Sequence, residues 1–291
     1  MEKNYKFLKA YQDNDTIRKS FNGLAQTTFG IDFEDWYQNG YWKNKYIPYS
    51  FVDGDQVIAN VSVSPMRFLH NGAVRNYIQL GTVMTSKPYR NQGLIRKLIH
   101  EVESDYLGKA DGYFLFANDR VLDFYTKFGY QSEKEYSWSK EMNIDTGMTA
   151  KKVSMKGMDD WKRFEKFMES SNVQSSLWMQ ENMELIMFYT TGFLSENVYM
   201  VESQKAYVIA EFQKGTLFLH QIFSPQKINI NEIASAFGKD VKKVILGFSP
   251  LETEDFKLEE ITEQDTTLFV KGILTGTIEK FHQRIPTLSH T

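Results

Sequence analysis

One stretch constrains the fold more than any other. Residues 46–85 read YIPYSFVDGDQVIANVSVSPMRFLHNGAVRNYIQLGTVMT. Apolar and polar residues alternate, and two dipeptides, Asp53-Gly54 and Asn71-Gly72, interrupt the alternation. Alternation is the signature of a half-buried strand, and Asp-Gly and Asn-Gly are hairpin turns. The stretch predicts three antiparallel strands at about residues 47–52, 56–68 and 74–85. Such a sheet needs a cover on its apolar face, and the next segment supplies one. Leu94, Ile95, Leu98, Ile99 and Val102 form one stripe at helical spacing, with Lys97, Glu101 and Ser104 opposite.

The rest of the first half fits around this sheet. NYKFLKAY, beginning at Asn4, predicts a short strand. Asp13, Asn14 and Asp15 offer caps to a helix over TIRKSFNGLAQTTF, which Gly30 stops. FEDWYQNGYW predicts a second short helix ending near Gly40. GYFLFAN is an apolar run of the kind found in strands covered on both faces. DRVLDFYTKF predicts a helix begun at Asn118 or Asp119 and ended by Gly129, and EYSWSKEM a strand that closes the sheet. The order is β-α-α-β-β-β-α-β-α-β over about 143 residues.

Small and polar residues at 146–150 mark a boundary, giving expected domains at 1–145 and 151–291. The second part begins like the first. KKVSMKGM predicts a strand, and Asp159-Asp160 cap an amphipathic helix carrying Trp161, Phe164 and Phe167. A hairpin around Lys214-Gly215, a helix over INEIASAF and a strand over KKVILGFS follow. This is a weak internal repeat in which the turn SPQKINI has no glycine.

Composition excludes several chemistries. The 291 residues contain no cysteine, which removes thiol catalysis, disulfides and cysteine metal sites. His70, His100, His220 and His282 are scattered with no ligand spacing, so no metal is expected. Absence of cysteine fits a reducing, cytoplasmic setting. A net charge of -3 without basic runs argues against nucleic acid as a partner. The first residues, MEKNYKFLKAYQDND, lack the apolar core of a secretory signal. LIMFYTTGFL, at 185–194, is too short and polar to span a bilayer, so no membrane partner is expected. Gly-x-Ser-x-Gly is also absent.

The chemistry concentrates after the third strand, in TSKPYRNQGLIRK. A helix N-terminus presents unpaired N–H groups and a partial positive charge, which together favour a phosphate. Gly93 at the turn admits a close ligand, Arg90 precedes it, Leu94 anchors the helix and Arg96 follows one turn later. This turn, the strand before it, the helix after it and FLFANDRVLDFYTKFGY together resemble the GNAT superfamily of N-acyltransferases. That family's signature is Arg/Gln-x-x-Gly-x-Gly/Ala, followed by an Asn at a strand end and a helix with Phe-Tyr-x-x-Phe/Leu-Gly-Phe/Tyr. Here Arg90-Asn91-Gln92-Gly93-Leu94-Ile95 stands for the first, and Asn118 with Phe124-Tyr125-Thr126-Lys127-Phe128-Gly129-Tyr130 for the second. The resemblance covers roughly residues 4–143. Ile95 departs from the usual Gly or Ala and narrows the turn. Gly-Leu-Ile-Arg resembles a variant of the Eis-like tandem acetyltransferases, whose complete GNAT domain is followed by a degenerate one.

The resemblance implies an α/β (α+β) fold: a GNAT domain with a mixed, mostly antiparallel sheet, then a degenerate GNAT-like domain. It implies an N-acetyltransferase that uses acetyl-CoA as cosubstrate and a small-molecule or peptide amine as acceptor. Val83, Met84 and Thr85 would run beside the pantetheine, Arg90, Asn91, Gln92, Gly93, Leu94, Ile95 and Arg96 would surround the pyrophosphate, and Asn118 would bind the pantetheine arm. Tyr125 matches the general acid. The Eis-like enzymes use their C-terminus as base, which points to Thr291; Glu34, Asp35 and His290 are other candidates. The aromatic residues Phe33, Trp36, Tyr37, Tyr41, Trp42, Tyr46 and Tyr49 are either core or the wall of an acceptor groove, with Asp32, Glu34 and Asp35 suited to a cationic amine. A non-catalytic acyl-CoA-binding sensor or interaction module is the alternative. A transferase using aminoacyl-tRNA is a third reading, disfavoured by charge.

Overall fold

The computed structural model describes residues 5–291, so Asn4, where the first strand was expected to start, lies outside them. The chain forms β1 (Lys6–Lys9), α1 (Asp15–Phe29), α2 (Glu34–Gln38), β2 (Ile47–Asp53), β3 (Gln56–His70), β4 (Ala73–Thr85), α3 (Leu94–Tyr106), β5 (Gly112–Ala117), α4 (Leu122–Thr126), β6 (Gln131–Glu133) and β7 (Tyr136–Glu141). The second half gives β8 (Lys151–Lys152), α5 (Met158–Glu169), β9 (Leu177–Gln180), α6 (Met183–Thr191), β10 (Val198–Val201), β11 (Ala206–Gln213), β12 (Thr216–Phe223), α7 (Ile230–Ser235), β13 (Lys243–Leu246), β14 (Lys257–Glu260), β15 (Thr267–Gly272) and α8 (Thr277–Lys280).

Local signals act as expected at most ends. The Asn14 side chain accepts from the Ile17 N–H at 3.2 Å, and Gly30, at φ 73°, closes α1. Asn71 and Gly72 both hold positive φ, 48° and 82°, which a tight two-residue hairpin requires. Two segments depart from expectation. Of KKVSMKGM only Lys151–Lys152 is strand, and Asp159 and Asp160 sit inside the first turn of α5, with Gly157 at the cap. The helix expected over DRVLDFYTKF is a 3-10 turn at Asp119–Val121 followed by the short α4.

The strands form two mixed sheets. The first runs β1-β2-β3-β4-β5-β15-β6, with β9 pairing with the far end of β3 at Arg67–His70. The second runs β14-β7-β13-β12-β11-β10-β8. The stretches 1–145 and 151–291 therefore exchange strands. EYSWSKEM does form β7, but it joins the second sheet instead of closing the first. β15 takes the place beside β5, antiparallel to β5 and β6. The reason lies in burial. Leu268, Phe269 and Val270 of β15 are all nearly inaccessible, as befits a central strand, whereas β7 presents Trp138 to the core of the second sheet.

The repeat is visible in the pairing. β4 and β5 are parallel and joined through α3; β12 and β13 are parallel and joined through α7. Leu94, Leu98, Ile99 and Val102 bury the inner face of α3 against Ile58, Val61, Val63 and Leu80. A second core gathers Val208, Leu217, Leu219, Ile233, Val244 and Leu246.

Residues 283–291 form a strap lying across both sheets. Glu135 holds it, accepting the Ile285 N–H at 2.8 Å from a position only 9 % exposed. Burial pushes this carboxyl up to about 7, against the partial compensation of the Ile285 N–H and the Arg284 charge.

Two outcomes follow from this packing. Phe269→Ala should cost about 3–5 kcal/mol in urea denaturation, because β15 completes a core built mostly from the first half; a loss below about 1 kcal/mol would contradict that role. Glu135 keeps its proton in the folded state up to about 7, whereas the unfolded chain loses it in the ordinary glutamate range. The folded state then binds more protons across that window, so stability falls as pH rises through it, by about 1–3 kcal/mol. Glu135→Gln should flatten that slope in denaturation curves taken across the window.

Candidate active site between diverging strands

The site begins with a mismatch in the β3–β4 ladder. Asn60 lies opposite Met84, but Ser62 lies opposite Gly81, so β4 uses one more residue than β3 over the same span. The extra residue is a bulge. Thr82 carries it at φ 40°, unusual for a branched side chain. Buried polar contacts hold it there. Asn60 Nδ2 donates to the Thr82 carbonyl and to Ser62 Oγ, both at 2.9 Å, and the Tyr46 hydroxyl lies 2.6 Å from Thr82 Oγ1.

The bulge turns β4 away from β5. The two strands pair only at Tyr77–Gln79 with Gly112–Phe114. Beyond Gln79 they separate, and a cavity of about 620 Å³ lies between Leu80–Thr85 on one side and Phe116 and Asn118 on the other. Thr28 and Phe29 at the end of α1 and Ile31 just after it form part of its wall, with Val121, Phe124 and Tyr125.

The glycine turn stands at one end. Pro88 sits in a 3-10 turn, Arg90 is extended, and Asn91 and Gly93 hold φ of 63° and 73°. Two left-handed residues so close together aim successive N–H groups the same way, the nest geometry that suits anions. The N–H groups of residues 91–96 find no acceptor among the described residues; the first helical bond runs from Lys97 to the Gly93 carbonyl at 3.2 Å. Around the position of a Gly93 Cβ the space is empty within 4 Å. Of the turn, Arg90, Asn91 and Ile95 line the cavity; Ile95 is one of its walls and does not fill it. Gln92, Gly93, Leu94 and Arg96 do not line it. Gln92 accepts from the Tyr5 hydroxyl at 3.0 Å, Leu94 is buried in the core, and Arg96 lies over the Phe128 ring.

At the inner end lie Tyr125 and Thr291, which also line the cavity with Val83, Met84, Thr85 and Asn118. Tyr125 is 5 % exposed and its hydroxyl makes no hydrogen bond to a described residue. Burial raises it to about 12, so it is protonated at neutral pH. Thr291 rests on Gly81. A Cβ at Gly81 would stand 2.6 Å from the Thr291 main-chain oxygen and 2.8 Å from its Oγ1, so only glycine admits this approach. Thr291 Oγ1 is buried without a partner. His290 stacks on Phe116 at 3.9 Å and its carbonyl accepts from the Tyr189 hydroxyl at 2.7 Å.

Two expectations are corrected and one open alternative is decided. Glu34 is held by Arg18 at 3.0 and 3.1 Å, which keeps its carboxyl below the usual range, and neither it, Asp32 nor Asp35 lines the cavity. The carboxylates therefore do not face an acceptor there. His290 is pushed down to about 3 by burial, too weak a base for the role considered. The aromatic cluster is core: Phe33, Trp36, Trp42 and Tyr46 are buried together with Phe21, and Phe188 of α6 stacks on Phe33 at 5.6 Å. Sequence reasoning missed Gly81, Thr82 and Phe116. Gly81 had a signal, a lone glycine inside a strand pattern, which marks close backbone approach; the bulge at Thr82 had none.

The corresponding turn of the second half is built differently. Asn229 fills it, its side chain accepting from the Asn231 and Glu232 N–H groups at 2.9 and 3.4 Å. The recess beside it carries Glu232, Glu252, Glu254 and Asp255. Amides already satisfied and acidic walls leave no place for a phosphate. Among the described residues no group of His, Asp and Glu is arranged to hold a metal, and no helix is long and apolar enough to cross a membrane.

Residues 10–132 match the family model described as an acetyltransferase (GNAT) domain. No curated protein matches the chain. Among solved structures, a probable N-acyltransferase of unknown function from Enterococcus faecalis V583 is similar at 15 % identity and TM-score 0.61, over 93 % of this chain and 73 % of that one. A GCN5-related N-acetyltransferase from Kribbella flavida shares 15 % identity at TM-score 0.53, over 91 % and 71 % of the two chains. Eis1 from Mycobacterium abscessus shares 13 % at TM-score 0.55, over 91 % and 73 %. At such identities the structures show a common fold. The family model thus places a GNAT domain at residues 10–132, and the chain as a whole shares its fold with these structures.

Proposed function

We propose that the protein is an acetyl-CoA-dependent N-acetyltransferase that acts on a primary amine by direct transfer. The observation that carries this reading is the cavity between β4 and β5: unpaired amides at the α3 turn, an open strand edge along its length, and an unpartnered tyrosine hydroxyl at its inner end. An unpaired strand edge suits a pantetheine arm, whose amides hydrogen-bond like a strand. An N–H of residues 83–85 polarises the thioester carbonyl. Asn118 takes the arm from the opposite side. The amine nitrogen attacks the carbonyl carbon and the carbon–sulfur bond breaks. Tyr125 donates its proton to the departing thiolate sulfur, for which a phenol held at about 12 is suitably protonated. The Thr291 carboxylate takes the proton lost by the amine. Its support is its place beside Gly81 in the same cavity as Tyr125. Residues 1–145 supply the cosubstrate site, and 151–291 return the strap that completes it.

The same hydroxyl separates an enzyme from a sensor, because a binding protein has no use for a proton donor open to the acyl site. Free CoA released from acetyl-CoA in the presence of a panel of primary amines can be followed with a thiol reagent, and the chain's own lack of cysteine leaves no background. Tyr125→Phe should lower kcat by about 10²–10⁴-fold while the Kd for acetyl-CoA stays within about twofold. Unchanged kcat would remove Tyr125 from the mechanism, and no turnover of any amine by the unsubstituted protein would favour the sensor.

A further inference from the structure

A second cavity, of about 430 Å³, lies on the other side of the strap and shares no lining residue with the first. Its walls come from α5, β9, α6 and β12. Trp178, Met179, Met183, Ile186, Phe223 and Leu288 give it an apolar side, and Ser171, Gln180, Asn182 and Gln221 a polar one. The volume suits a small organic molecule.

Two amides give it direction. Gln221 is 7 % exposed and its side chain makes no hydrogen bond to a described residue. Gln180 Oε1 is buried and likewise without a partner. A buried amide oxygen without a partner is costly, by about 1–3 kcal/mol, and the Gln221 amide on the same wall is open to an occupant of the cavity. Both donors and acceptors are on offer, so an occupant with an N–H, hydroxyl or carbonyl is matched. The charges at the wall are Glu169 and Glu181, and Glu181 already pairs with Arg67 at 3.1 Å. No lysine or arginine lines the cavity. A carboxylate or phosphate would therefore be repelled and unpaired, which excludes CoA and its phosphorylated fragments. The methionines suit a site that adapts to its occupant's shape.

We infer that this cavity is a second ligand site, for a small uncharged apolar molecule carrying a hydrogen-bonding group. Pro286 and Leu288 form one wall of it, and Thr291, three residues on, lies in the first cavity. An occupant thus braces the strap that reaches the other site. The inference does not depend on the acyl-transfer reading.

The test uses N-phenyl-1-naphthylamine, an uncharged aromatic fluorophore with one N–H. Titrated into the full chain, it should bind saturably at one site and slow amide exchange in peptides covering 177–186 and 285–291. Met183→Trp, which fills the cavity from a partly exposed position, should weaken binding at least about tenfold; Met179→Trp is the second filling variant, and circular dichroism checks that each is folded. Gly93→Trp, which alters the glycine turn beside the other cavity, should leave binding intact. No saturable binding, binding indifferent to both filling variants when folded, or binding lost in Gly93→Trp would each overturn the assignment.

Discussion

The separation of β4 from β5 after Gln79 is the constraint on which the remaining structure turns. Paired throughout, these strands would satisfy each other's backbone and leave no slot. They part because β4 bulges at Thr82, and the bulge persists because Asn60, Ser62 and Tyr46 satisfy it from the buried side. A backbone strained at φ 40° needs such support. The open edge is the result, and residues of the glycine turn and Tyr125 line the cavity beside it.

Opening the sheet there creates a second demand, since β5 needs a partner on its far edge. β15 supplies it from near the end of the chain. The same segment continues through α8 into the strap, which Glu135 fastens at Ile285 and which ends against Gly81. One piece of chain thus completes the core of the first sheet and the wall of its cavity. The degenerate repeat has the same strand–helix–strand frame, but Asn229 closes its turn from within. Its contribution to the first site is structural, through the strands it lends and the strap it supports.

Much of the frame was legible. Asp53-Gly54 and Asn71-Gly72 placed the hairpins because few other residues tolerate the required φ. Gly93 and the stripe from Leu94 to Val102 placed the turn and its helix, since both depend on neighbours in sequence. What stayed hidden depends on distant ones. Nothing in TLFVKG distinguishes a strand inserted beside β5 from one in its own half, and nothing in YSWSKE says that it will leave the first sheet. Thr82 looks like any strand threonine until Asn60 is beside it. Glu34 suggested a free carboxylate beside an amine, but the fold brings Arg18 onto it. Tyr125 was legible from its motif, while its unpartnered hydroxyl is a property of the packed structure.

The turn from Arg90 to Arg96 and the open edge of β4 together form the proposed acetyl-CoA site. Calorimetric titration of the purified protein with acetyl-CoA and with free CoA tests it most directly. Both should bind at about micromolar Kd, and Gly93→Trp, whose indole would occupy the empty space above the turn, should abolish binding. Absence of heat for either ligand, or undiminished binding to Gly93→Trp, would contradict it.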